Sequence, residues 1–484
     1  MSTPAPLDLN NIQGDILAGL PKKTETYFFF QVSDVNRFRG QFAKFVPSVT
    51  TTAQVVAGRQ AIQEHKSQNK EGLIPMAAVA VAFSNAGLIK LGITDDLNDA
   101  AFTEGQLKGA ENLGDPGKTT NGVFSPDWEP EFKKEIHGVI YVAGDSILSV
   151  DKKLIEIKLL FGVGLPGHSI TEITSIRGDV RPGKENSAHE HFGFLDGISN
   201  PAVEGFDKTT FPGQDAIAPG FMLLGHETNN SSKPQPPSWA VDGSFLTFRY
   251  LFQLVPEFDD FLEQNPIILP GLSRKEGSEL LGARLVGRWK SGAPIDITPL
   301  KDDPVLAADP QRNNDFKFEN ELNNNDQSRC PFAAHVRKTY PRDDLEGPPR
   351  NFDIDNRRIM RRGIQFGPEV TLIEKAEKKT HHGRGLLFAC YSSSIVDGFQ
   401  FIQQSWANTP EFPLNAAGKS GQAGFDAIIG QKKGGGVRTV NGTNPSDPTT
   451  NITLPNETFV VPKGGEYFFV PSIAALKTKF AAAA

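Results

Sequence analysis

The stretch His189-Glu-His-Phe-Gly-Phe-Leu-Asp-Gly-Ile-Ser-Asn-Pro201 sets two histidines, an aspartate, two glycines and a closing proline among apolar residues. Phe192, Phe194 and Leu195 can bury against a flat surface. Asp196-Gly197 reverses the chain, because glycine tolerates the positive φ of a tight turn. The Asp196 carboxylate is then left pointing out of an apolar wall, where it can accept a proton. An isolated Asp-Gly is ordinarily a turn without chemistry, so the reading depends on what the rest of the chain supplies.

The other chemistry-bearing residues are scattered. The chain has nine histidines, so one alone means little; His335, in Cys330-Pro-Phe-Ala-Ala-His-Val-Arg-Lys-Thr-Tyr-Pro-Arg342, could ligate a metal or be a capped loop or core histidine. In Arg357-Arg-Ile-Met-Arg-Arg362, strand alternation puts Arg361 and Arg362 on opposite faces; a solvated arginine ladder on an edge strand reads the same way. Gly385 to Tyr391 is apolar on both faces, as a central strand should be, with Leu386 and Phe388 sharing one of them. Asp426 lies beside apolar residues and could be a helix cap. Phe399, Ile402 and Trp406 follow the spacing of a core stripe, whereas Tyr340, before Pro341, reads as exposed loop. Asp215, Glu346, Asp353 and Asp355 could supply oxygen ligands to Mn²⁺ or Ca²⁺, or be solvated surface acids.

Composition bounds these options. At 484 residues the chain exceeds what one core comfortably holds, so two domains or a duplicated unit are expected. A charged content of 22% describes an ordinary globular protein, and a net charge of -7 gives no basic footprint for nucleic acid. No apolar run approaches the roughly 20 residues that cross a bilayer, so no membrane partner is expected. Cys330 and Cys390 are the only cysteines, which excludes a disulfide framework, a four-cysteine metal cluster and a thioether-linked haem. The start, Met1-Ser-Thr-Pro-Ala-Pro, lacks the regions of a secretory signal, as in a mature form or a chain exported otherwise or not at all. Sequons at Asn229, Asn230, Asn441, Asn451 and Asn456 would permit glycosylation of a secreted chain.

The elements that must hold these residues repeat. Strands at 26–32, 77–83, 137–143 and 170–180, with helices at 35–45 and 147–161, give β-α-β-β-α-β, the ferredoxin-like pattern. A second set follows: strands at 245–253, 358–366, 385–392 and 466–470, with helical runs at 258–264, 275–289 and 396–408. The expectation is an α+β protein of two ferredoxin-like domains, 1–182 and 183–484, whose facing antiparallel sheets enclose a slot for a flat cofactor.

His189 to Pro201 resembles the signature of the dye-decolorizing peroxidases of fungal type, whose Gly-x-x-Asp-Gly core is Gly193 to Gly197 here. The resemblance extends from Leu7-Asp-Leu-Asn-Asn-Ile-Gln-Gly-Asp15 to Gly465-Glu-Tyr-Phe-Phe-Val-Pro471. It implies a non-covalent haem b in a dimeric α+β barrel, with His335 on the iron and Asp426 as the acceptor of its second nitrogen. Leu386 and Phe388 would line the distal pocket, and Arg337 counts with the cofactor-binding residues. The family mechanism gives Asp196 the proton of hydrogen peroxide to take and return, and gives Arg361 the charge that builds as the O–O bond breaks. Aromatic donors, dyes and phenols among them, then return electrons. Trp406 and Tyr340 stand where fungal members carry surface radicals, and the acids at 215, 346, 353 and 355 would form a docking point for Mn²⁺. An extracellular location goes with the resemblance. The alternative is a haem-binding or haem-handling protein of the same fold without peroxidase turnover, which would have no use for both Asp196 and Arg361.

Overall fold

The structure, a computed structural model, describes residues 6–183, 186, 188–228, 235–318, 326–345, 354–413 and 423–481. The first half forms β1 (Thr24–Val32), α1 (Val35–Phe45), β2 (Ala77–Phe83), β3 (Gly138–Gly144), α2 (Ile147–Phe161) and β4 (Ile170–Asp179). Asp34 starts α1 by accepting the Arg37 N–H at 3.0 Å, and Gly162, at φ 68°, ends α2 in the left-handed conformation. The second half forms β5 (Ser244–Gln253), α3 (Val255–Gln264), α4 (Arg274–Val286), α5 (His335–Thr339), β6 (Met360–Arg361), β7 (Ile364–Phe366), β8 (Gly385–Ser392) and β9 (Val460–Val470). Between β8 and β9 the expected helix is present as two π-helical stretches, Val396–Gln400 and Ile402–Ala407.

The strand order is β6 and β7, β8, β5, β9, β2, β3, β1, β4. Each half therefore has its first and third strands at the centre and its second and fourth outside, as a ferredoxin-like unit requires. The units join where Phe469 of β9 pairs with Phe83 of β2. At the far end β4 approaches β7 so closely that a Cβ on Gly178 would lie 2.4 Å from Ile364 Cγ2. Only glycine permits that approach, and the nine-stranded sheet curls into a barrel.

This closure relocates the expected slot. The two sheets do face each other, but the space between them is filled by side chains from both halves, among them Tyr27, Phe29, Tyr141, Phe248, Leu387, Tyr391 and Phe468. Phe29 and Phe248 meet there with ring centroids 5.0 Å apart. The cavity lies instead on the outer face of the second unit's sheet, under the helices and loops that cover it. Alternation explains the division: Leu246, Phe248 and Leu387 point into the barrel, and Arg249, Leu251, Gln253, Leu386 and Phe388 point out to the cavity. Among the described residues no helix is long and apolar enough to cross a membrane.

Candidate active site

The turn that carries Asp196 is built by its own first residues. Half-buried Glu190 accepts the N–H groups of Phe192 and Phe194, both at 2.8 Å, and the Gln253 amide at 2.5 Å. Phe192 and Phe194 pack on Phe258, with centroids 4.5 and 6.5 Å away. Gly193 and Gly197 take φ of 92° and 84°, the positive values that the reversal needs. Asp196 then faces a cavity of about 280 Å³, with its Oδ1 accepting the Gly197 N–H at 2.6 Å and Arg361 Nη1 at 2.5 Å.

Arg361 and Arg362 go to opposite sides of their strand. Arg361 reaches the cavity, while Arg362 donates to the carbonyls of Asp15, at 3.0 Å, and Leu17. Asn200 fixes the Arg361 backbone from both sides: its Oδ1 accepts the Arg361 N–H at 3.1 Å and its Nδ2 donates to the Arg361 carbonyl at 3.2 Å. Burial alone would raise the Asp196 pKa, but the adjacent guanidinium and the Gly197 N–H outweigh it and hold the carboxyl below the ordinary 3.8. It is therefore a charged proton acceptor at neutral pH.

His335 opens α5 and lines the same cavity. Its Nδ1 hydrogen-bonds Asp426 Oδ2 at 2.8 Å, and the second Asp426 oxygen accepts the N–H groups of Ile428 at 2.8 Å and Ile429 at 3.0 Å. Asp426 is completely buried, so its loop rather than solvent fixes where the carboxylate stands. Burial disfavours protonating His335, yet Asp426 overrides it and lifts the imidazole above its ordinary pKa. With Nδ1 committed, Nε2 is the nitrogen left for a metal.

The donor set fits a haem. One imidazole is backed by a buried carboxylate, and the walls from Leu386, Phe388, Phe399, Ile402 and Ile428 suit a flat apolar ring. A carboxylate and guanidinium paired in the same cavity supply a proton acceptor and a fixed positive charge.

Other expected residues are elsewhere. Arg337 does not line the cavity: its side chain is fully buried, pairs with Asp344 at 2.6 Å and lies 4.4 Å from the Phe332 ring centroid. A neighbour two positions along a helical turn points away from His335, which is why proximity in sequence misleads. Trp406 is 3% exposed, its ring stacked on Phe412 at 5.2 Å, so it follows the core-stripe reading rather than that of a surface residue. Tyr340, expected on the surface, is half-buried, lines the cavity, donates to Asp215, and lies under the Arg358 guanidinium at 3.9 Å. Asp215 is thus engaged by Tyr340 and, at 3.1 Å, by Arg358. Glu346 and Asp353 lie outside the described residues, and Asp355 sits in a short 3-10 turn, Asp355–Arg357. Among the described residues no three His, Cys, Asp or Glu side chains converge as a metal site would require.

Sequence reasoning missed Glu190, Asn200 and Arg249. The first two lie inside the organising turn, but their partners include Gln253 and the Arg361 backbone, far away in sequence, which a motif does not display. Arg249, a lone charge in an otherwise apolar strand, gave a signal: it is 2% exposed at the cavity wall and forks onto Asp115 at 2.7 and 2.9 Å.

An α+β barrel whose outer cavity joins a His-Asp pair to an Asp-Arg pair defines a haem-peroxidase type of site. The family of the DyP dimeric alpha+beta barrel domain matches residues 11–182. A dye-decolorizing peroxidase of Mycetinis scorodonius is 43% identical over 99% of this chain and 88% of its own. One of Mycena epipterygia is 42% identical over 98% and 88%. Among solved structures, a variant of the dye-decolorizing peroxidase from Pleurotus ostreatus superposes with a TM-score of 0.96 at 68% identity, covering 99% of this chain and all of that one. A dye-decolorizing peroxidase in complex with 2,6-dimethoxyphenol superposes with a TM-score of 0.84 at 44% identity, covering 98% and 100%. The chain belongs to the dye-decolorizing peroxidases. It is a peroxidase oxidoreductase, and the family implies a haem cofactor, peroxide as oxidant and a reducing substrate.

Proposed function

We propose that His335 holds a non-covalent haem b, with Asp426 fixing its tautomer, and that Asp196 and Arg361 perform the acid-base work of peroxide reduction. When bound, haem supplies the iron at which peroxide is reduced and the oxidising equivalents that are passed to donors. The chain's own residues do the rest. Asp196, ionised and held at 2.5 Å by Arg361, accepts a peroxide proton and returns it to the departing oxygen. The guanidinium keeps its charge throughout and offsets the negative charge on that oxygen. Leu386 and Phe388 keep the neighbouring wall apolar, which limits competition from water.

The observation that carries this reading is the meeting of Asp196 with Arg361 in the cavity that His335 lines. Aromatic donors of the phenol and dye classes complete the proposal, supported by the 2,6-dimethoxyphenol bound to a relative. Tyr340, half-buried at the cavity wall, is the side chain through which a donor too large to enter would deliver electrons. An extracellular location is proposed on the sequons, with Asn451 and Asn456 exposed; glycan mass on the protein secreted by a eukaryotic host tests it.

The purified protein should show a Soret band, and stoichiometric peroxide should change that spectrum quickly. Asp196→Asn should slow the change by about 10²–10⁴-fold, the usual value of a positioned acid-base group. A Soret band with equal peroxide rates in both proteins would leave haem binding without the proposed catalysis.

A further inference from the structure

Lys338, one turn beyond His335 on α5, is a completely buried lysine. Its ammonium donates to the main-chain carbonyls of Phe412 at 2.5 Å, Thr409 at 2.7 Å and Trp406 at 3.4 Å. Three carbonyls satisfy its three protons, yet no carboxylate among the described residues forms an ion pair with it. A buried ammonium without a counter-ion gives up its hydration, and a methionine would fill the same apolar surroundings without that loss.

The segment that Lys338 holds is also the one that positions Asp426. The Asp426 N–H donates to the Ala407 carbonyl at 3.1 Å, and Gln403 Nε2 donates to the Ile429 carbonyl at 2.9 Å. Lys338 thereby ties the helix of His335 to the stretch on which the Asp426 loop rests. Burial pushes the ammonium down to about 7, while Asp426 and Glu411 pull it back, so Asp426 is one of the charges that act on it.

We propose that Lys338 is a positioning residue that sets the electron-donating strength of His335 by fixing the His335–Asp426 spacing. A carboxylate on Nδ1 makes an imidazole a stronger donor, which favours ferric over ferrous iron. Loosening that hydrogen bond weakens the donation and raises the potential. The inference rests on His335 being the iron ligand.

The test measures the ferric/ferrous midpoint potential of the holoenzyme at pH 5, where the ammonium is charged, in wild type, Lys338→Met, Lys338→Gln, Asp426→Asn and the double variant Lys338→Met/Asp426→Asn. The expected result is a more positive potential in both Lys338 variants, with most of that shift gone once Asp426→Asn is also present, since the spacing matters only while the carboxylate accepts from Nδ1. An unchanged or more negative potential, or the same shift with and without the Asp426 carboxylate, overturns the proposal, as does loss of haem from both Lys338 variants, which would assign the residue to folding alone. If His335→Ala keeps the wild-type spectrum and potential, the iron ligand has been misassigned, and that failure is distinct from a failure of Lys338.

Discussion

The amide of Asn200 brackets the backbone of Arg361, accepting its N–H at 3.1 Å and donating to its carbonyl at 3.2 Å, although 161 residues separate them. The turn that carries Asp196 and the strand that carries its guanidinium partner are thereby locked in register four residues from the carboxylate. The Asp196–Arg361 contact at 2.5 Å is the product of that lock.

Removing it should be felt first in chemistry. Asn200→Ala breaks two hydrogen bonds, each worth about 0.5–1.5 kcal/mol, so misalignment of the pair should slow peroxide reduction about tenfold. Stopped-flow rates over a peroxide series check this. A variant that reacts at the wild-type rate would show that the turn and strand hold register without the amide.

The pH dependence has a definite sign. Asp196 works ionised, and because its folded pKa is held below the ordinary 3.8, the peroxide rate should fall only as pH drops through that depressed value. In Arg361→Leu the lowering charge is gone, so the acid limb should move to higher pH, on top of a slower rate at every pH. The same depression means that Asp196 favours the folded state above its unfolded pKa and loses that contribution as pH falls through the folded one. A pH-rate profile whose acid limb is identical in the two proteins would show that another group titrates.

Glu190 is expected to be structural support for the reaction rather than a participant. Glu190→Ala removes the acceptor of the Phe192 and Phe194 N–H groups and of the Gln253 amide at a half-buried site, at about 0.5–1.5 kcal/mol for each hydrogen bond lost. Thermal unfolding should show the loss, and peroxide rates should fall with it. Glu190→Gln, which keeps one acceptor oxygen, should recover part of both.

The Arg249–Asp115 pair holds the cavity wall against the first unit, with side-chain exposures of 3% and 0%. Among the described residues, Asp115→Ala leaves a buried guanidinium with only Gln106 Oε1, at 3.2 Å, as its remaining side-chain acceptor. Denaturant unfolding of the haem-free protein should show a loss of about 3–5 kcal/mol, the cost of breaking a buried ion pair. A loss below about 1 kcal/mol would mean that water reaches Arg249.

Much of the fold was legible because it is local. Phe28, Phe30, Leu386 and Phe388 obey the period of two, α1 carries its cap in Asp34, and Asp196-Gly197 carries its own turn chemistry. The segregation of Arg361 from Arg362 followed from the same alternation.

What the chain alone could not decide was long-range closure. Whether two sheets enclose a slot or a packed interior depends on the Phe83–Phe469 junction and on the approach that Gly178 allows to Ile364, neither of which has a local signature. Likewise the family resemblance named Asp426 and Trp406 as candidates, but only packing put one on His335 at 2.8 Å and the other under Phe412. Local patterns follow from backbone sterics and hydrophobic period, which every short segment carries with it. A site assembled from positions 190 to 426 exists only once the barrel has brought their backbones together.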